Sequence, residues 1–126
     1  MNFNFHEFNN VRIAEVISDE IVLNNVQDSL DLMANADYQG ARKIILHEKN
    51  INPEFFKLST GLAGEILQKY VNYKMKLAIV GDFSKYQSKS FNAFLIECNR
   101  GNQFFFVDSV DKATELLTEK KELLQR

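Results

Sequence analysis

Three short apolar runs, separated by segments of helical periodicity, constrain this chain more than any other feature. They are Lys43-Ile44-Ile45-Leu46-His47, Lys76-Leu77-Ala78-Ile79-Val80-Gly81 and Gln103-Phe104-Phe105-Phe106-Val107. Each is too short for a core helix and rich in β-branched or aromatic residues, so each reads as a buried strand. A fourth and fifth strand come first. Phe3, Phe5 and Phe8 lie before Asn9-Asn10, and Val11 to Ile17 lies after it. Asn tolerates positive φ, so the pair predicts a tight hairpin joining strands at about 2–8 and 11–17.

Helices fill the gaps. Val26, Leu30, Met33 and Ala34 fall at helical spacing, behind an Asn25 N-cap and with Asp28 in the first turn. Gly40 closes that segment. After a loop opened by Pro53, residues Thr60 to Tyr70 predict a second helix with Leu62, Ile66, Tyr70 and Tyr73 as its apolar stripe. Lys89 to Asn99 predicts a third, carrying Phe91, Phe94, Leu95 and Cys98, with Gly101 at C′. Ser109 caps a last helix bearing Val110, Ala113, Leu116, Leu117, Leu123 and Leu124.

The order is β-β-α-β-α-β-α-β-α. Alternation after the hairpin implies parallel strands joined by right-handed crossovers. The expected fold is therefore α/β: a mixed, mostly parallel five-stranded sheet in order 1-2-3-4-5, its first strand antiparallel, with helices mostly on one face. At 126 residues, with 45% hydrophobic and 25% charged residues, the chain forms one domain with a full core. The last strand then lies at an edge. Its Phe104-Phe105-Phe106 run either fills the core or leaves an aromatic edge for self-association through 103–107; two of the three are expected in the core.

Charge and cysteine usage narrow the function classes. A formal charge of -2, with no basic run longer than Lys120-Lys121, disfavours nucleic acid. Cys98 is the single cysteine, so no disulfide can form within the chain, and with no basic neighbour at helical spacing it is expected to be buried and inert. Met1 to Glu7 lacks the basic start and apolar stretch of a signal peptide, and no run is long enough to span a bilayer. The expected location is a reducing cytoplasm.

In such a sheet, ligands gather outside the carboxyl ends of the strands. His47, Glu48, Lys49 and Asn50 follow the third strand; Ser59 and Thr60 precede the second helix; Asp82, Ser84, Ser88, Lys89 and Ser90 follow the fourth strand. His47 is a general-base candidate or, more commonly, a strand-end side chain bonded to backbone. Glu48 is its neighbour but points the other way along an extended chain. Asp82 binds a cation, orients a nucleophile or forms a turn, the last being the usual outcome for Asp after Gly. Ser84, Ser88 and Ser90 either hold an anion or cap a helix, and capping is the commoner role. Arg100, just past the third helix, completes the candidate binding residues. His6 and His47, the two histidines, lie far apart in sequence, and no His/Cys/Asp/Glu set has metal spacing. Neither GxGxxG nor GxxxxGK[ST] occurs, so no cofactor is implied.

Two resemblances follow from longer stretches. Ser59 to Lys69, Asn72-Tyr73, Leu77 to Ser84, Ser88-Lys89-Ser90 and Asn99-Arg100-Gly101 together resemble the bacterial domain-of-unknown-function family 4180 across nearly the whole chain. That family has no established activity to carry over. The element order also resembles STAS domains, the anti-sigma factor antagonist class, in which a strand leads to a D-S-[ST]-G-L-G segment opening a helix. Here the stretch reads Leu58-Ser59-Thr60-Gly61-Leu62-Ala63, with Leu58 in place of the family Asp and Ala63 in place of the last Gly. This resemblance implies a STAS-like fold and makes Ser59 and Thr60 phosphorylation candidates. Three functions are expected in turn: a non-enzymatic regulatory or protein-interaction module, a binder of a small apolar or anionic metabolite, and an enzyme using His47, Glu48 and Asp82 as acid/base groups.

Overall fold

The computed structural model describes residues 1–118, and places strands β1 (Asn2–Phe8), β2 (Val11–Ile17), β3 (Lys43–His47), β4 (Lys76–Val80) and β5 (Phe104–Val107) in one sheet of order β1-β2-β3-β4-β5. β1 runs antiparallel to β2 and the remaining pairs are parallel. Helices α1 (Val26–Tyr38), α2 (Leu62–Tyr73) and α3 (Lys89–Arg100) make the crossovers, and α4 (Val110–Thr118) follows β5. Leu123 and Leu124, expected in the last helix, lie outside the described residues. No helix among the described residues is long and apolar enough to cross a membrane.

Local signals explain most of these elements. Asn9 and Asn10 both take positive φ, at 49° and 68°, and set the hairpin register. Asn25 Oδ1 accepts the Asp28 N–H at 2.8 Å, Ser88 Oγ accepts that of Phe91 at 3.2 Å, and Ser109 Oγ that of Lys112 at 3.1 Å, so three helices begin at side-chain caps.

Handedness decides the layers. When successive parallel strands are added in sequential order, right-handed crossovers put every connecting helix on the same face. That face holds the larger core. Ala14, Val16, Ile44, Leu46, Leu77, Ile79 and Phe106 of the sheet meet Leu32, Met33 and Ala36 of α1, Ala63, Ile66, Leu67 and Tyr70 of α2, and Phe91 of α3. Among the described residues no strand follows α4, and this helix covers the opposite face. Its Ala113 and Leu117 pack on Ile13, Ile45, Ala78, Phe105 and Val107. Phe105 and Phe106 thus fill the two cores from one strand, while Phe104 is half-buried.

Several helix faces differ from those expected. Tyr73 of α2 is 56% exposed, and Leu67 takes the buried position. In α1 the buried residues are Ser29, Leu32, Met33 and Ala36, whereas Ala34 faces solvent. Periodicity finds a stripe, but the docking angle on the sheet selects which residues of it are covered. Gly101 is extended, with φ −82°, and is not a left-handed C′ residue; Gly61 takes that conformation at φ 80° in front of α2. The second helix accordingly begins at Leu62, and Thr60 belongs to a 3-10 turn.

Candidate functional site

The connection from β3 to α2 is not a simple strand-to-helix step. It runs through three 3-10 turns, Glu48–Asn50, Pro53–Phe56 and Leu58–Thr60. Asn50 is fully buried and anchors the first turn. Its Nδ2 donates to the carbonyls of Ser18 and Glu20, each at 2.9 Å, and its carbonyl accepts from the N–H groups of Val22 and Leu23. His47 and Asn50 close a reciprocal capping box: Asn50 Oδ1 accepts the His47 N–H at 3.3 Å, and the His47 ring accepts the Asn50 N–H.

Alternation along the chain then sends His47 and Glu48 to different places. His47 points to the α4 face, where Ile13 and Glu15 of β2 also point. Its Nε2 lies 2.7 Å from Glu15 Oε2, and the Nε2 of His6, from β1, lies 2.8 Å from Glu15 Oε1. The two histidines of the chain thus converge on one carboxylate whose side chain is 8% exposed. Ionised carboxylate can only accept, so each ring presents its Nε2–H. Burial alone would raise the Glu15 pKa; the hydrogen bonds from His6 and His47, with their charge, outweigh burial and hold it below the ordinary carboxylate value. Among the described residues no group of three or more His, Cys, Asp or Glu side chains is arranged to hold a metal ion.

Glu48 turns toward the loop after β4. Its Oε2 accepts from the Tyr86 hydroxyl and pairs with Lys85 Nζ at 2.8 Å. Tyr86 stacks on Phe56 and Phe83, with ring centroids 5.3 and 6.4 Å away, and packs against Phe91 at 5.0 Å. Burial, and then the hydrogen bond to Glu48, raises its phenol pKa. This clamp passes over Gly81 so closely that a Cβ there would sit 2.7 Å from both Cβ and Oε1 of Glu48. Gly81 therefore serves close approach between the two loops.

The other candidates lie in the loop after β4, in the turn before α2 and at the end of α3. Asp82 is exposed, and its Oδ1 accepts from the Ser84 hydroxyl at 2.6 Å and the Ser84 N–H at 3.1 Å. Those two bonds hold its pKa below the usual range, and they describe an Asx turn. Ser88 caps α3 and its Oγ lies 2.9 Å from that of Ser90. Ser59 is exposed at the turn before α2. The Thr60 hydroxyl lies 2.8 Å from the carbonyls of Glu54 and Lys57, toward which it donates, and it accepts the Leu62 N–H at 3.3 Å. Arg100 is not part of this rim. It ends α3, just ahead of the strand start at Phe104, which pairs with Leu77 near the amino end of β4, and it bonds Glu97 at 3.3 Å. Its place follows from the crossover, which returns the chain to the opposite end of the sheet.

His47, Glu48 and Asp82 share one end of the sheet but no hydrogen-bond system; each is held by different partners. Cys98 is half-buried, and burial followed by the nearby Glu97 pushes its thiol up to about 11, which makes it a poor nucleophile. A groove of about 590 Å³, open to solvent, lies beyond the carboxyl ends of β4 and β5, with Asp82, Phe83, Ser84, Asp108 and Lys112 in its walls.

Glu15 and His6 were not among the residues singled out from the sequence. Two signals marked them. Glu15 is a charge inside an otherwise apolar strand, on the same face as Ile13. The two-residue turn at Asn9-Asn10 pairs His6 with Ile13, which puts His6 diagonally across from Glu15.

No curated protein and no solved structure matches this chain, so the STAS resemblance gains no support from a neighbour. The model of the family described as Domain of unknown function (DUF4180) matches residues 8–117, and the chain belongs to that family.

Proposed function

We propose that this chain is a non-enzymatic regulatory or protein-interaction module that presents the rim at the carboxyl ends of β3 and β4 to a protein partner. One observation carries the reading: Glu48 holds Lys85 and Tyr86 across Gly81, over a base of stacked aromatic rings. The clamp gives an exposed polar loop, with Asp82, Ser84, Ser88 and Ser90, one defined shape. A surface ordered before binding loses less entropy when a partner docks.

The STAS-like reading adds Ser59 and Thr60, which lie in the neighbouring turn. A phosphate on Ser59 would bring roughly two negative charges near the amino end of α2, where the helix dipole favours them. The same change at Thr60 would disrupt the turn, because its hydroxyl is engaged with the carbonyls of Glu54 and Lys57. A cytoplasmic location belongs to this reading as well. Self-association through β5 has less support: Asn99 Oδ1 accepts the Phe106 N–H at 2.8 Å and its Nδ2 donates to the Phe106 carbonyl at 3.2 Å, so the side chain takes up the edge groups of that residue.

The test is affinity capture with the intact protein and with Gly81→Ala, which displaces Glu48 and leaves the exposed side chains unchanged. The expected result is a protein retained by the parent chain and lost with Gly81→Ala and with Ser84→Arg. Equal retention by all three, or no retained protein, overturns the proposal. The small-ligand reading rests on the open groove beside the same loop, and native mass spectrometry of freshly purified protein tests it by looking for a mass adduct that Ser84→Arg removes.

A further inference from the structure

His47 and Glu48 are consecutive residues, and they connect two clusters that the sheet otherwise separates. His47 binds the buried carboxylate of Glu15, and Glu48 holds the rim. Between them stands one 3-10 turn, closed by the capping box of His47 with Asn50. We infer that His6, Glu15 and His47 form a proton-sensitive latch, joined through the His47–Asn50 turn to the Glu48 clamp, so that proton uptake by the buried cluster loosens the rim loop.

Charge and lone pairs argue for this. With both rings neutral, the cluster carries the single negative charge of Glu15. One proton on a ring makes an ion pair and strengthens the tie. A second proton leaves two imidazolium ions on one carboxylate, which can neutralise only one of them. The ring atoms add direction. The His47 Nε2–H is committed to Glu15, so the ring accepts the Asn50 N–H through Nδ1. A protonated ring has no lone pair there, and the Asn50 N–H loses its acceptor. Asn50 is buried and ties residues 18–23 to the turn, so the turn cannot shift alone. Glu48 opens that turn, and its grip on Lys85 and Tyr86 depends on the turn's position.

Other charged groups face the cluster and bear on its field. Asp111 and Glu115 of α4 line the cleft beside His6, with Lys112 3.7 Å from Glu115. Lys43 of β3 lies on the same face and donates to the Leu117 carbonyl. Asp19 and Lys49 pair at 3.3 Å beside His47 and are well exposed. The paired ions Asp19 and Lys49 largely cancel beside His47. Of the two rings, His47 is the one that meets both Glu15 and the Asn50 turn, so it is His47 that links the cluster to the rim.

This inference rests on the rim as the presented surface, but its test needs no partner. Amide hydrogen exchange of the intact protein is measured across residues 82–88, corrected for intrinsic rates, while imidazole ¹⁵N resonances report each ring. Imidazoles change charge between about pH 8 and 5. The expected result is at least about fivefold faster corrected exchange in the rim on acidification, following the His47 resonances, a factor at the low end for coupled sites. In His47→Gln that dependence is expected to vanish; in His6→Gln it persists. Unchanged exchange in the parent protein, or a rim response that follows His6 alone, overturns the latch. Failure of partner capture with an intact pH response would instead count against the rim as a docking surface and leave the latch standing.

Discussion

Glu15 and Glu48 are each the acceptor at the centre of a three-residue cluster, one on the helix-poor face of the sheet and the other at its carboxyl rim. Both tie separate strands or loops together. Their surroundings differ. Glu15 is enclosed, and each of its oxygens meets one histidine. Glu48 is 16% exposed at the side chain, and one of its oxygens takes both the exposed Lys85 and the half-buried Tyr86. Water competes for the Lys85 contact and scarcely at all for Glu15. The lesson is that equal numbers of polar partners do not make equal contributions; the medium around the acceptor decides how costly it is to remove one.

Glu15→Ala carries the largest expected effect. It leaves two imidazole N–H groups facing a low-polarity site, and the expected loss is about 3 kcal/mol in urea denaturation. A loss below that of Gly81→Ala or Tyr86→Phe, which disturb the Glu48 clamp, would show that the buried cluster is not the stronger tie. Acid titration sharpens the same point. The folded-state pKa of Glu15 lies below its ordinary value of 4.5, so its contribution is complete above that value and disappears as pH falls through the folded one. Stability of the parent protein should therefore drop more steeply below pH 4.5 than that of Glu15→Gln, read as Tm by circular dichroism.

Gly81→Ala comes next, because a Cβ there meets Glu48 at 2.7 Å and the loop must move; the expected cost is about 2 kcal/mol, in the range of overpacked sites. Tyr86→Phe keeps the aromatic stack and removes one hydrogen bond to Glu48, for about 1 kcal/mol. Asp82→Asn should leave Tm unchanged, since the side chain is exposed and an amide oxygen can still accept from Ser84. A clear loss at Asp82 would mean that the rim has a structural role beyond the clamp.

Much of this is legible in the sequence. The hairpin turn, the strand order and the side-chain caps of α1, α3 and α4 are local or follow from handedness, so Asn9-Asn10, Asn25, Ser88 and Ser109 signalled them. Rotation of α1 and α2 on the sheet was not legible, because Ala34 and Tyr73 satisfy helical spacing as well as Ala36 and Leu67 do. The end of the sheet at which Arg100 lies was not legible for a related reason: it depends on how far α3 travels back along the sheet. The candidate site was half visible. Residues 47, 48 and 82 do share one end of the sheet, as parallel strands require, but their partners come from elsewhere in the chain.

The succession of elements and the sheet order are written in the chain, since they depend on periodicity, turn chemistry and handedness over short spans; the hairpin register that sets His6 diagonal to Glu15 follows from the Asn9-Asn10 turn, although neither residue stood out before the fold was known. Tertiary structure alone decided that His47 would reach Glu15 and that Glu48 would hold Lys85 and Tyr86. Those contacts require the register between β2 and β3 and the path of a loop over Gly81, which are set by packing across the whole sheet and leave no local mark in the chain.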